Sequence, residues 1–193
     1  MKRFLKFIFR LLFLLIIATI VFFFWASSST LKEAEYVSLT KVDVQNQPEN
    51  DSIFSIVTYN IGYLSGMTNN RPIAKPKSLF DENLQNVLAE TQKVNPTIIA
   101  FQEIDYDATR SYNINQEEQI AQLGFPYRAR TINWDEEYVP FPYWPISMHF
   151  GKVVSGQSII SKYPIKEQQR IVLQRVADAP FYRNAFYLER LAQ

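Results

Sequence analysis

An α/β sandwich is the fold class this sequence predicts, and three observations predict it. Strand-like apolar runs at 54–59 and 97–101 bracket a stretch with helical periodicity. A second helical stretch stops at Gly124, and several further strand-like runs follow it. Strand, helix, strand, helix and then strands is the order of an α/β domain, not of an all-β one. Composition agrees: 47% hydrophobic, 20% charged and 15% aromatic residues describe a globular chain with an aromatic excess, and 193 residues suit one domain plus extras.

The N-terminal segment, residues 1–26, predicts a membrane anchor. Lys2, Arg3, Lys6 and Arg10 precede "LLFLLIIATIVFFFWA", residues 11–26, which carries no charge. A bilayer core takes about 20 apolar residues. Lys6 and Arg10 can snorkel, so a span can run from residue 7 to residue 26. The basic cluster is expected to stay cytoplasmic and to send the body outside, into a periplasmic or extracellular space. The alternative is a cleaved signal peptide with Ala26 and Ser28 at the cut, against which stand the bulky residues Phe22 to Trp25 just before it. Residues 27–50 are polar and read as a linker, with a short strand over Tyr36 to Val44; the domain proper occupies 51–193.

Within that domain, "FSIVTYNIGYLSG", residues 54–66, is a strand that stops at Asn60 and opens into a glycine loop. Strand interiors disfavour Asn, and strand ends that open into loops often carry working residues. Leu84, Val87, Leu88 and Val94 then mark one face of a helix, with Ser78 and Asp81 spaced as a capping box and Asn95-Pro96 as the stop. "TIIAF", 97–101, reads as a strand buried on both faces. A second helix is predicted over Gln116 to Leu123, and further strands over 127–132, 157–162, 168–173 and 185–191.

Two features of the composition narrow the chemistry. No cysteine occurs, which removes disulfides, thiolate metal sites, cysteine nucleophiles and a lipoprotein anchor. Setting aside the four N-terminal bases leaves 16 basic against 19 acidic residues, a net of −3. That body lacks the basic excess expected of a protein that grips a nucleic-acid backbone, so nucleic acid is the less favoured partner.

The second buried strand ends in "FQEID", residues 101–105, where an apolar run turns polar. Adjacent strand ends form the ligand crevice of such sheets, so Asn60 and Glu103 are expected to meet at one edge. A carboxylate with an amide oxygen suits a hard cation such as Mg²⁺, which keeps several waters and takes one or two carboxylates. Ordinary strand-end capping is the competing explanation for the same residues.

"TYNIG", then "IIAFQEID" about forty residues later, then "SGQSIISKYPI", together resemble the endonuclease/exonuclease/phosphatase superfamily. The resemblance covers residues 53–190 and implies a four-layer αββα sandwich of the deoxyribonuclease-I-like type. It implies hydrolysis of phosphodiesters or phosphomonoesters with Mg²⁺, or in some cases Mn²⁺. Glu103 then matches the metal-ligating glutamate, and Asn60 matches the asparagine that arranges metal and phosphate. The superfamily's later motifs, a His-Leu strand end, a Gly-Asp-x-Asn loop and a terminal Asp-His, do not occur in these 193 residues. The expectation is therefore half of an active site: a truncated or fragmentary phosphoesterase, inactive alone, incomplete at the C-terminus and open to a complementing chain. A non-catalytic protein that retains the fold is the alternative.

Three further residues are candidates. His149, the only histidine, could contact phosphate as a catalytic group, or could simply pack among the aromatics before it. Arg110 could bind the phosphoester or pair with Asp105 or Asp107. Arg183 is a weaker candidate for substrate binding. "YVPFPYWP", 138–145, is a stiff aromatic loop that either faces a lipid or sugar or buries its own rings. With the anchor, it favours a lipid phosphodiester among possible substrates.

Overall fold

A computed structural model describes residues 2–42, 53–69 and 71–171. It shows a mixed α/β arrangement: an N-terminal apolar helix followed by a body built on one five-stranded sheet. Helix α1 spans Lys2–Ala26. The strands are β1 (Val37–Lys41), β2 (Ile56–Asn60), β3 (Ile98–Ala108), β4 (Tyr127–Val139) and β5 (Gly151–Ser161). Helices α2 (Lys77–Val94) and α3 (Gln116–Ala121) lie between β2 and β3 and between β3 and β4. The spatial order is β1-β4-β5-β3-β2. Only β2 and β3 are parallel, and α2 is the crossover that such a pair requires.

The core lies on the helical side of the sheet. Phe80, Leu84 and Val87 of α2 and Ile120 of α3 pack on Ile99, Phe101 and Ile160, all buried. Each large side chain removed from water there stabilises the fold by about 1.5–3 kcal/mol. The opposite face is also apolar. Leu39, Ala129, Ile159 and Ala100 are cross-strand neighbours in one row, and Ile98 and Ile56 form the next pair toward the edge. Leu39, Ile56 and Ile159 are nonetheless exposed, so the described residues place a layer on one face only. Beside β2, the open edge, a groove of about 400 Å³ runs along α2 over Val57, Tyr59, Val87, Ile99 and Phe101. Where β4 and β5 cross, Gly156 is obligatory: a Cβ there would sit 2.0 Å from the Thr131 carbonyl oxygen.

Several expectations need adjusting. The helix stop at Asn95 is present, with Asn95 in the left-handed region (φ 48°). The capping box is not: Pro76 is the N-cap, Ser78 and Asp81 lie inside the first turns, and Asp81 pairs with Lys77 instead. An i,i+4 lysine captured the carboxylate that would have capped the helix. Strands β3, β4 and β5 run longer than their apolar cores suggest, because polar residues alternate along their ends. Residues 168–171 form no strand, and the expected strand at 185–191 lies outside the described residues.

Helix α1 carries no charge after Arg10 and is almost wholly exposed. At 1.5 Å per residue its length is about 37 Å, enough to cross a hydrocarbon core. It is compatible with a membrane anchor or a signal sequence. The polar stretch after it is not loose at its start. Asp135, buried on β4, accepts hydrogen bonds from the Thr30 amide (3.0 Å), the Thr30 hydroxyl (2.6 Å), the Leu31 amide (2.9 Å) and the Tyr36 hydroxyl (3.2 Å). Residues 30–36, expected to belong to a linker, are thus fastened to the sheet, because one buried carboxylate satisfies their backbone donors.

Candidate functional site

Strand β2 delivers Asn60 to the sheet end in parallel register with Gln102, and the Ile61 amide donates to the Gln102 carbonyl (3.0 Å). Asn60 is exposed, and its Oδ1 accepts from the Gly62 amide at 3.0 Å. That bond closes an Asx turn, so Asn60 shapes the loop as well as standing at the strand end. The loop that follows is tight: Gly62, Tyr63, Leu64 and Gly66 all have positive φ.

Across the register, β3 does not end at Gln102. It bulges between Phe101 and Ile104 and continues to Ala108. Glu103 sits in the bulge at φ 52°, a left-handed conformation that a non-glycine residue rarely adopts. Its carboxylate, partly exposed, accepts from the Asn69 side chain at 2.8 Å through Oε2. Among the described residues no other hydrogen bond reaches its carboxylate. The Asn60 strand end and the Glu103 bulge are therefore next to each other, and Asn69 from the glycine loop ties the loop to Glu103.

Behind this pair lies a buried polar frame. Arg110 donates to both oxygens of Asp105, at 3.2 and 2.8 Å, and both side chains are almost inaccessible. Its guanidinium carbon lies 3.5 Å from the Tyr63 ring centre and 4.7 Å from that of Trp134. Burial acts to lower the pKa of Arg110, but the Asp105 charge and hydrogen bond overcome it and raise the pKa above the usual value. Gln116 bridges the frame: its Oε1 accepts from the Asp105 amide (3.0 Å) and its Nε2 donates to the Tyr63 carbonyl (2.9 Å). Tyr63, Asn69, Lys75, Arg110 and Phe150 line a cavity of about 20 Å³, room for roughly one water. Burial first, and the Arg110 charge second, pull the Lys75 amine below its ordinary pKa.

The predicted site residues separate into three groups. Asn60 and Glu103 are brought onto neighbouring strands, as the order of strands requires, but only Asn60 is at a strand end: Glu103, expected at one, sits in a bulge in the middle of β3 because pairing with β5 carries that strand on to Ala108. Arg110 is close to their loop through Tyr63 but is directed onto Asp105, the pairing that competed with phosphate contact. His149 does not join them. Its Nδ1 is 2.7 Å from the Tyr138 hydroxyl, and its ring packs edge-on against Tyr138, with no hydrogen bond to Asn60, Glu103 or Arg110. The aromatic run ahead of it drew it into packing. Arg183 lies outside the described residues. Sequence reasoning missed Asn69 and Gln116, which are ordinary amides in polar stretches with no spacing signal of their own.

The donor set can be tested against a hard divalent cation. One carboxylate with an oxygen that accepts no protein hydrogen bond, with an exposed amide oxygen on the neighbouring strand, fits Mg²⁺ with most positions left to water and substrate. It does not fit a fully protein-caged ion: among the described residues no group of three or more acidic or imidazole side chains converges. No family model, curated protein or solved structure matches this chain.

Proposed function

We propose that the body is a deoxyribonuclease-I-like, metal-dependent phosphoesterase domain of the endonuclease/exonuclease/phosphatase type, carried on a single-pass anchor with the body outside the cytoplasm. The observation that carries this reading is the strained Glu103. A left-handed non-glycine residue costs on the order of 1–3 kcal/mol, and such strain concentrates where a side chain must be aimed for function. Here it aims a carboxylate beside the Asn60 strand end. Glu103 and Asn60 would hold Mg²⁺ or Mn²⁺, and the metal when bound would polarise a phosphoryl oxygen. Asn69 fixes the Glu103 rotamer, and Asn60 holds the loop that closes over it. The apolar sheet face beyond Ile56 and Ile159 suits the second sheet of a four-layer sandwich. Water activation and phosphate contact belong, in this reading, to a chain bearing the Gly-Asp-x-Asn and Asp-His motifs, and the substrate is a phosphoester, with a lipid phosphodiester preferred.

A second reading, a non-catalytic binding protein that keeps the fold, is favoured by one observation: His149 and Arg110 are both engaged away from the Asn60–Glu103 pair. Mn²⁺ titration of the full chain in detergent, followed by electron paramagnetic resonance, tests the first reading. Binding that disappears in Glu103→Gln is expected. Equal binding in that variant removes the metal assignment. Hydrolysis of bis-(p-nitrophenyl) phosphate after addition of a complementing chain separates the two readings, since the non-catalytic protein binds without turnover. Protease added to intact cells is expected to digest the body; survival until lysis reverses the orientation.

A further inference from the structure

The last turn of α1 and the strand β4 run side by side in opposite directions. Asp135 holds Thr30 and Leu31, the Glu137 amide donates to the Ser28 carbonyl at 3.0 Å, and Tyr138 meets Trp25 and Phe22 at ring-centre distances of 5.8 and 5.9 Å. As β4 advances from 135 to 138, its partners step back from 31 to 22, down the apolar helix. The loop that leaves β4 therefore starts level with the helix's terminal aromatics.

That loop has the composition of a membrane interface. From Tyr138 to Gly151 there is no Asp, Glu, Lys or Arg. At its tip Tyr143 and Trp144 are each 78% exposed and Ile146 is 64% exposed. Its base is not loose: the Phe150 amide donates to the Phe141 carbonyl (2.8 Å), and Phe141 packs against Phe150 and Val139. Prolines 140, 142 and 145 stiffen it further. A preorganised loop with exposed Trp and Tyr and no charge matches the belt that aromatic side chains form at the headgroup level of a bilayer.

We infer that the β4–β5 loop is a second membrane contact, which seats Tyr143, Trp144 and Ile146 in the interface of the leaflet where α1 emerges. The occupant is lipid, because the uncharged loop leaves β4 beside the exposed apolar helix, where Tyr138 meets Trp25 and Phe22. Two contacts instead of one fix the body's tilt. A single helix would let it swivel; the helix end, the Asp135 anchorage and the loop together hold the sheet at a set angle to the bilayer. This inference rests on the proposal that α1 is a membrane anchor and not on the phosphoesterase reading.

The absence of cysteine makes the test direct. Tyr143→Cys in the full chain, labelled with an environment-sensitive fluorophore and reconstituted at one copy per nanodisc, places one probe at the loop tip. Trp144→Cys is the second position, and Ile53→Cys, 82% exposed ahead of β2 at the opposite end of the sheet, is the water-facing reference. Lipids brominated near the headgroup are expected to remove about half the emission at 143 and 144 and little at 53, with aqueous iodide doing the reverse. Iodide quenching at 143 and 144 equal to that at 53 overturns the inference. So does shielding from both quenchers, which means that the loop packs on protein. None of these readings requires metal or turnover, so they stand apart from the fate of the catalytic proposal.

Discussion

Asn69 reaches across thirty-four residues to donate a 2.8 Å hydrogen bond to Glu103, whose own backbone is held in the left-handed region at φ 52°. The two facts belong together. A bulge leaves one residue outside the ladder and turns its side chain away from the regular alternation. Without a partner the Glu103 side chain would sample many rotamers. With Asn69 it is tied to the glycine loop that starts at Asn60.

The strain makes a prediction that ordinary strand residues do not. At a regular strand position, glycine is less stable than alanine. At 103 the order should invert, because only glycine occupies positive φ without penalty. Glu103→Gly is expected to be more stable than Glu103→Ala by about 1 kcal/mol, measured as denaturant midpoints of the two variants side by side. Alanine at least as stable as glycine would mean that Glu103 is not left-handed.

Asn69→Ala tests whether the tie matters to metal binding. Partners that orient a metal-ligating group typically contribute a factor of about 10–100 in affinity. Mn²⁺ affinity in Asn69→Ala should therefore drop by roughly tenfold, while thermal stability changes little, since the bond is only part-buried. Unchanged affinity would separate Asn69 from any metal role.

The outline of this site was legible in the sequence, and the reasons are local. Asn60 interrupts an apolar run, Glu103 follows another, and parallel strands joined by one helix must align their ends. The helix stop at Asn95 was legible for the same reason, since asparagine tolerates the positive φ it adopts (48°); α3 ends at Ala121, two residues short of the expected Leu123, and Gly124 turns the chain at φ 101° just beyond it. What was not legible depends on contacts between distant segments. The bulge that lets β3 continue past Glu103 is set by its pairing with β5, not by the residues of β3 alone. Asp135 reads as one acid in "NWDEEY", and nothing in that stretch announces that it collects the donors of residues 30–36. His149 shows the opposite failure. A lone histidine looks like chemistry, but its aromatic neighbours decided its place.

Arg110 and Asp105 give a prediction about stability. Removing one member of a buried ion pair strands the other, at a cost of about 3–5 kcal/mol, whereas replacing both by apolar residues can be nearly neutral. Arg110→Met is expected to destabilise the body by about that amount, and Arg110→Met with Asp105→Leu to recover most of it. Denaturant unfolding of the variants is the check. If Arg110→Met left stability intact, the side chain would be free for substrate and the frame described above would be wrong.

The last prediction concerns how the body is joined to α1. Asp135 is the shared acceptor for two backbone amides and two hydroxyls from residues 30–36, and it is itself buried. Asp135→Ala removes every one of those bonds at once. Each buried donor left without a partner costs about 1–3 kcal/mol, though water reaching this edge would recover part of it. The segment should then detach from β4, taking Leu31 and Tyr36 off the margin of the core, while the centre of that core around Phe80 and Phe101, held by α2, stays folded. Lys32 lies inside the fastened stretch, so trypsin reports the change. Cleavage after Lys32 in the full chain should accelerate about tenfold or more in Asp135→Ala, since a loss of 1.4 kcal/mol in local closure already raises the open population tenfold. Cleavage elsewhere in the body should keep its native rate. Equal cleavage at Lys32 in both proteins would mean that the stretch opens freely despite Asp135, and the fixed geometry between α1 and the sheet would fail with it.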